Sequence, residues 1–342
     1  MVTPNSLQRD EIVLVTGLNG FVGSHIANEF LNAGFKVRGT VRKISKAANF
    51  QHIFDQNHGS GRFSAVEVPD ITVPGAFDEA VKGVHAIAHS ASDTTFSPDP
   101  NKVITPAVES VKSILESASK EQSVKNFILT SSSVAACRAC ARADPLNITQ
   151  ETWNEEDSAE AWKTESERGE NHAFVVYGAS KTEAELALWK FVGLKKPTFT
   201  IHSVLPSANF GPVISKEDVS STGAFAREVY EGRLANLLMV PPQHYVSVED
   251  TARLHVGPVL FDDVPSQRLF AWAEPFNWND MLKVMRELRP KHEFQVDIEG
   301  LGEDRSTVTN EEAEKLLQRM GRKGWVSLKT CLEQNLSTLG CN

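Results

Sequence analysis

The sequence predicts an α/β fold: a doubly wound parallel sheet followed by a smaller C-terminal lobe. Three observations predict it. An apolar, β-branched run ends on a glycine near the start of the chain, strand and helix patterns alternate to about residue 205, and the texture then turns Pro- and Gly-rich. Parallel strands need crossover helices, and helices on both faces leave the strands apolar on both sides.

Taken in order, Glu11-Ile-Val-Leu-Val-Thr-Gly17 reads as a buried strand. Phe21, Val22, Ile26, Phe30 and Leu31 fall on one helical stripe, which Gly34 stops. Strands are expected over Phe35–Val41 and Phe63–Val68, a helix over Ala76–Val81, and a strand over Val84–His89. A helix over Val103–Ser119 and a strand over Asn126–Thr130 continue the alternation. Residues 151–170 are an acidic surface excursion, with Trp153 and Trp162 as its apolar anchors. A long helix over Tyr177–Val192 and a strand over Thr198–Ser203 follow. Beyond them come Pro206, Gly211, Pro212, Gly223, Pro241 and Pro242. The expected division is 1–205 for the sheet domain, with returning segments near 245–275, and 206–342 mainly for the lobe.

Composition bounds the function. With 342 residues, 41% hydrophobic and 23% charged, the chain has the proportions of a soluble globular protein large enough to need no staples. A net charge of −9 argues against a nucleic-acid partner. No run approaches the roughly 18 to 20 apolar residues of a membrane span. The polar segment Met1–Asp10 lacks a signal-peptide pattern, and four cysteines make no disulfide framework, so the expected location is cytoplasmic.

Between the first strand and first helix sits Gly17-Leu-Asn-Gly20-Phe21-Val22-Gly23. Glycines there let the chain turn sharply and let helix N-terminal amides approach a pyrophosphate, which makes the sheet Rossmann-like and dinucleotide-binding. An NAD site usually carries a carboxylate about 20 residues later. Here that stretch reads Val41-Arg42-Lys43, with Lys46 close behind. Cations suit a 2′-phosphate, so NADP(H) is the expected cofactor. Tyr177 and Lys181 are spaced i, i+4 and share a helix face. A neighbouring ammonium favours the phenolate, so Lys181 is expected to lower the Tyr177 pKa and make it a proton-transfer group.

The Gly-x-x-Gly-x-x-Gly spacing resembles the extended short-chain dehydrogenases/reductases. That resemblance implies a carbonyl-polarising serine after the fifth strand, in Ser131-Ser132-Ser133. Ser132 and Ser133 both remain open, with Ser133 preferred. It also implies that Asp70 and Ile71 contact the adenine and that Ala91 and Ser92 run beside the cofactor. Lys181 would hold the nicotinamide ribose. Several segments narrow the match to the dihydroflavonol 4-reductase and cinnamoyl-CoA reductase group: Ala76–Gly83, Asp99–Pro106, Tyr177–Trp189, Leu205–Pro212 and Tyr245–Asp250. There Pro206, with Ser207 after it, lies against the nicotinamide. The substrate-lobe signatures of the plant enzymes are missing. Within the group the chain is similar to fungal NADPH-dependent aldehyde (carbonyl) reductases, which implies a small carbonyl substrate such as an aldehyde or activated ketone. A monomer is preferred to a homodimer.

The remaining features read as structural. Cys137-Arg-Ala-Cys140 has redox spacing but follows a strand, and Cys331 and Cys341 lie too far off to complete a zinc site, so no metal is expected. His89 is read as a packed strand-end histidine. Phe210, Phe225, Leu237, Leu238, Met239 and Gln243 fit a substrate pocket and ordinary core packing equally. Two rival functions share the fold: an NAD-dependent sugar-nucleotide epimerase/dehydratase, and a non-catalytic NADP-sensing protein.

Overall fold

The computed structural model describes residues 10–92, 95–142, 144–169 and 171–341. The first nine residues of the polar N-terminal segment, and Glu170 at the end of the acidic run, lie outside them. In chain order the first half comprises β1 (Ile12–Thr16), α1 (Phe21–Asn32), β2 (Lys36–Val41), α2 (Ala48–His58), β3 (Phe63–Glu67) and β4 (Val84–His89). Next come α3 (Pro100–Lys120), β5 (Asn126–Thr130), β6 (Asn147–Ile148), α4 (Glu155–Glu160), α5 (His172–Lys195) and β7 (Thr200–Pro206). The remainder holds β8 (Ala208–Phe210), α6 (Phe225–Tyr230), β9 (Gln243–Ser247), α7 (Val248–Leu260), β10 (Gln267–Ala271) and β11 (Pro275–Phe276). It ends with α8 (Trp278–Leu288), β12 (Thr307–Val308), α9 (Glu311–Arg319) and α10 (Leu328–Leu339).

Seven strands form one sheet in the order β10-β7-β5-β4-β1-β2-β3. Every pairing in it is parallel. The order reverses between β1 and β4, which opens a crevice at the carboxyl ends where ligands bind in such sheets. Period-2 alternation sends Val13 and Val15 into a core under α1, α7 and α9, and Leu14 into a second core under α3 and α5. Both faces are therefore covered, as a doubly wound sheet requires. Residues 248–271 return to the sheet: α7 packs on α1, and β10 pairs with β7.

A third core belongs to the C-terminal lobe. Phe210, Tyr245, Phe276, Trp278, Met281, Leu282 and Leu332 bury one another there, around the short sheet β11-β9-β8. Asn277 caps α8 through a reciprocal box with Asp280, satisfying amides that the helix start leaves open.

Several boundaries differ from the sequence reading. Residues 76–81 form successive turns instead of a helix, Ala76 N–H reaching Val73 O and Asp78 N–H reaching Gly75 O. Phe77, Ala80 and Val81 are still buried, so their helix-like spacing reflects burial alone. The segment between β2 and β3 contains α2, which the sequence reading missed. Within the acidic excursion Trp153 is an anchor, under Arg268 at 3.8 Å, whereas Trp162 is 51% exposed and anchors nothing. Among the described residues no helix is long and apolar enough to cross a membrane, and no group of His, Cys, Asp and Glu has the geometry of a metal site.

Candidate active site

The turn after β1 is built by close backbone packing. Gly17 adopts φ +67°, and a Cβ there would stand 2.9 Å from the Ala91 backbone. A Cβ on Gly23 would fall on the Gly17 carbonyl. Gly20 is the N-cap of α1 and offers no side-chain cap, so the helix amides face the crevice. Thr16 Oγ1 accepts the amides of Ser90 and Ala91 at 3.0 Å each and bonds His89 Nδ1 at 2.9 Å. His89 Nε2 reaches Ser110 at 3.0 Å, and burial holds its ring down to about 3. His89 is thus a neutral packed histidine that fastens the end of β4 to the end of β1.

A dinucleotide fits this cradle. At the end of β2, Arg42, Lys43 and Lys46 are all exposed. None forms an ion pair among the described residues. The nearby Glu67 carboxylate is occupied by the Ile44 amide at 2.7 Å. Asp70 is exposed at the start of the turn after β3, and Thr72 donates to it from N–H at 2.9 Å and from Oγ1 at 2.6 Å. These bonds hold its carboxyl below the usual range. Ile71, Ala91 and Ser92 are half-buried along the same rim.

Tyr177 and Lys181 lie in the second and third turns of α5, which begins at His172 and therefore earlier than expected. The Lys181 ammonium stands 5.9 Å from the centre of the Tyr177 ring. Burial pulls Lys181 down to about 8, opposed by the Glu185 carboxylate. Tyr177 departs from the sequence expectation. Burial pushes its phenol above the ordinary value, and the opposing influence is a hydrogen bond with Ser132. Desolvation disfavours the phenolate and sets the direction of the shift.

That same bond distinguishes the two serines. Ser132 caps the short 3₁₀ turn at Ser133–Ala135, accepting the Val134 amide at 3.4 Å, and reaches Tyr177. Ser133 is buried in the turn, where its carbonyl accepts the amides of Ala136 and Cys137. Ser132, rather than the preferred Ser133, is the hydroxyl brought to Tyr177. Asn154 holds this turn by donating to Val134 O at 2.8 Å. It also bonds Asp157, which packs where a side chain on Gly178 would otherwise stand. Asn154 escaped the sequence reading because the turn it holds, at Val134, lies 20 residues away in another segment.

On the far side, Pro206 ends β7, and Ser207 Oγ donates to His244 O at 2.6 Å. Gln243 stands 3.5 Å from the Ser207 hydroxyl. The rings of Phe96 and Phe174 close one flank, Phe96 lying 4.8 Å from the Tyr177 ring and 4.9 Å from Phe174. Of the apolar lobe residues, Phe210 and Leu237 are core, whereas Leu238 and Met239 are 46% and 61% exposed. The four cysteines are free thiols, and burial pushes Cys137 up to about 12, which leaves it unreactive.

Sheet order, the switch-point turn and the Tyr–Lys helix together place the chain among the extended short-chain dehydrogenases/reductases. The NAD dependent epimerase/dehydratase family model matches residues 13–257, and the chain belongs to that family. It is 38% identical over 329 residues to aldehyde reductase 2 of Sporidiobolus salmonicolor, covering 96% of this chain and 95% of that one. It is 34% identical over 329 residues to a ketoreductase of Aspergillus novofumigatus, covering 94% of each. Among solved structures, yeast methylglyoxal/isovaleraldehyde reductase Gre2 complexed with NADPH superposes with a TM-score of 0.79 at 27% identity. That match covers 96% of this chain and 98% of the yeast chain.

Proposed function

We propose that the protein reduces aldehydes and activated ketones, β-keto esters among them, with Tyr177 giving the proton to the carbonyl oxygen. It is an NADPH-dependent carbonyl reductase of the kind its aldehyde reductase and ketoreductase relatives are named for. The observation that carries the reading is the convergence of Ser132 and Lys181 on Tyr177.

Gly17, Gly20, Phe21, Val22 and Gly23 would hold the pyrophosphate, and Arg42, Lys43 and Lys46 the 2′-phosphate. Asp70 and Ile71 would face the adenine, while Ala91, Ser92, Pro206 and Ser207 line the nicotinamide end. When bound, NADPH supplies the hydride that reaches the carbonyl carbon. The Ser132 hydroxyl donates to the substrate oxygen as negative charge grows on it. Tyr177 then transfers its proton to that oxygen, and the Lys181 ammonium offsets the charge left on the phenolate. A phenol raised by burial stays protonated at neutral pH, the form this direction of reaction needs. Phe96 and Phe174 favour an apolar substituent beside the carbonyl. The lobe would cover the substrate, and the protein would act as a cytoplasmic monomer.

NADPH oxidation, followed by absorbance with a β-keto ester and an aromatic aldehyde beside an NADH series, tests this. We expect turnover with NADPH at least about tenfold above NADH, the discrimination one charge-assisted contact supplies. NADPH binding without turnover of any carbonyl would contradict it and favour a sensor. Tightly held NAD would favour an epimerase.

A further inference from the structure

One buried side chain beside the site has no part in that chemistry. Glu185 is 0% exposed and lies one turn beyond Lys181 on α5. Ser131 Oγ donates to its Oε2 at 2.7 Å, and Ser203 Oγ to its Oε1 at 2.6 Å. Arg268 Nε donates to Oε1 at 2.9 Å, and Trp189 Nε1 stands 3.4 Å away. Arg268, 4% exposed, also donates to the carbonyls of Gln150 at 2.9 Å and Thr152 at 2.7 Å.

Stability alone is a weak reason for such a hub, because a buried ion pair often contributes no more than apolar side chains of the same volume. The distribution of its partners says more. Ser131 directly precedes Ser132, Ser203 lies on β7 three residues before Pro206, and Arg268 lies on β10. One carboxylate thus joins three strands that end at the site to the helix carrying Tyr177 and Lys181.

We propose that Glu185 is a positioning residue: it ties the residue after β5, the middle of β7 and the start of β10 to α5 and provides the counter-charge for the Lys181 ammonium. This rests on Tyr177 and Lys181 being the catalytic pair. Few other charged groups face Lys181. On its own helix there is Tyr177 and on β4 the neutral His89, while His202 of β7 lies on the opposite face of the sheet from Ser203 and α5. The turn at 133–135 contributes none, and Asp157 of α4 is taken by Arg138 Nε at 2.6 Å. On α3, Lys102, Lys112, Glu116 and Lys120 are exposed, and Glu109 pairs with Lys112. Removing the Glu185 charge leaves burial unopposed, so Lys181 loses its proton at lower pH.

The test is Glu185→Gln, read in two ways. In the cofactor-free protein, a ¹³Cε-lysine NMR titration follows Lys181, assigned by its loss in Lys181→Met. With NADPH and saturating carbonyl, the pH dependence of kcat is recorded. We expect the Lys181 midpoint and the alkaline limb of kcat to fall together by about one pH unit, with the carbonyl KM changed less than about threefold. Glu185→Gln/Arg268→Gln removes both charges, leaves no orphaned guanidinium, and shifts the midpoint in the same sense. It serves if the single variant does not fold. A Lys181 midpoint equal to wild type in a folded variant overturns the proposal. Tyr177→Phe in the same assay separates the two ideas: full activity there overturns the catalytic pair itself. An inactive Tyr177→Phe with an unshifted Lys181 midpoint overturns only the role of Glu185.

Discussion

At the crevice edge of the sheet, polar groups are held by backbone geometry. Thr16 gathers the amides of Ser90 and Ala91, Gly17 makes room for them, and Asn154 pins the turn after Ser132. The C-terminal lobe is held by apolar packing around Trp278, Met281 and Leu332, and it leaves Leu238 and Met239 facing solvent. Backbone bonding fixes atoms to a few tenths of an ångström and tolerates little change. Apolar packing tolerates substitutions that conserve volume. The sheet edge is therefore suited to fixed chemistry, and the lobe to a surface that varies with the substrate.

Three substitutions sharpen or break this contrast, ranked by their effect on cofactor affinity. Gly23→Ala places a methyl group on the Gly17 carbonyl. It should weaken NADPH binding by about 100-fold or more in calorimetry, a cost of roughly 3 kcal/mol typical of backbone misfit. Wild-type affinity there would remove the steric account of the turn. Arg42→Ala deletes one charge-assisted contact, worth about 1.5–3 kcal/mol. NADPH affinity should drop by about 10-fold or more, and NADH affinity should stay level. An equal loss for both cofactors would detach Arg42 from the 2′-phosphate. Met281→Ala opens a cavity in the lobe and should lower unfolding free energy by about 2–5 kcal/mol in denaturant titrations. Its effect on NADPH affinity in the folded protein should be the smallest, within about twofold. A large affinity loss would show that the lobe core, too, positions the cofactor site.

The same contrast governs what the sequence disclosed. The strands of the sheet were legible because two-sided burial writes continuous apolar runs such as Val13-Leu14-Val15. The glycine turn and the Tyr177–Lys181 spacing were legible because their constraints are local. Residues 76–81 misled because turns beginning at Pro74-Gly75 bury Phe77, Ala80 and Val81 at helix-like intervals. The helix over 48–58 passed unread because its buried residues are only Phe50 and Phe54. Choosing between Ser132 and Ser133 depends on how the end of β5 twists toward α5, which no local pattern encodes. Glu185 sits visibly at i+4 from Lys181, yet its partners Ser131 and Arg268 lie 54 and 83 residues away. The direction in which the Tyr177 phenol is shifted was misjudged because it is set by burial, a tertiary property.

The most direct measurement is the single-turnover rate of NADPH oxidation by Tyr177→Phe with a β-keto ester, beside NADPH binding by fluorescence. A proton donor in the transition state contributes about 10²- to 10⁴-fold. The rate should therefore fall by about 10³-fold while the NADPH Kd stays within about threefold. A rate within a few-fold of wild type would contradict the assignment of Tyr177 as the proton donor, and with it the mechanism.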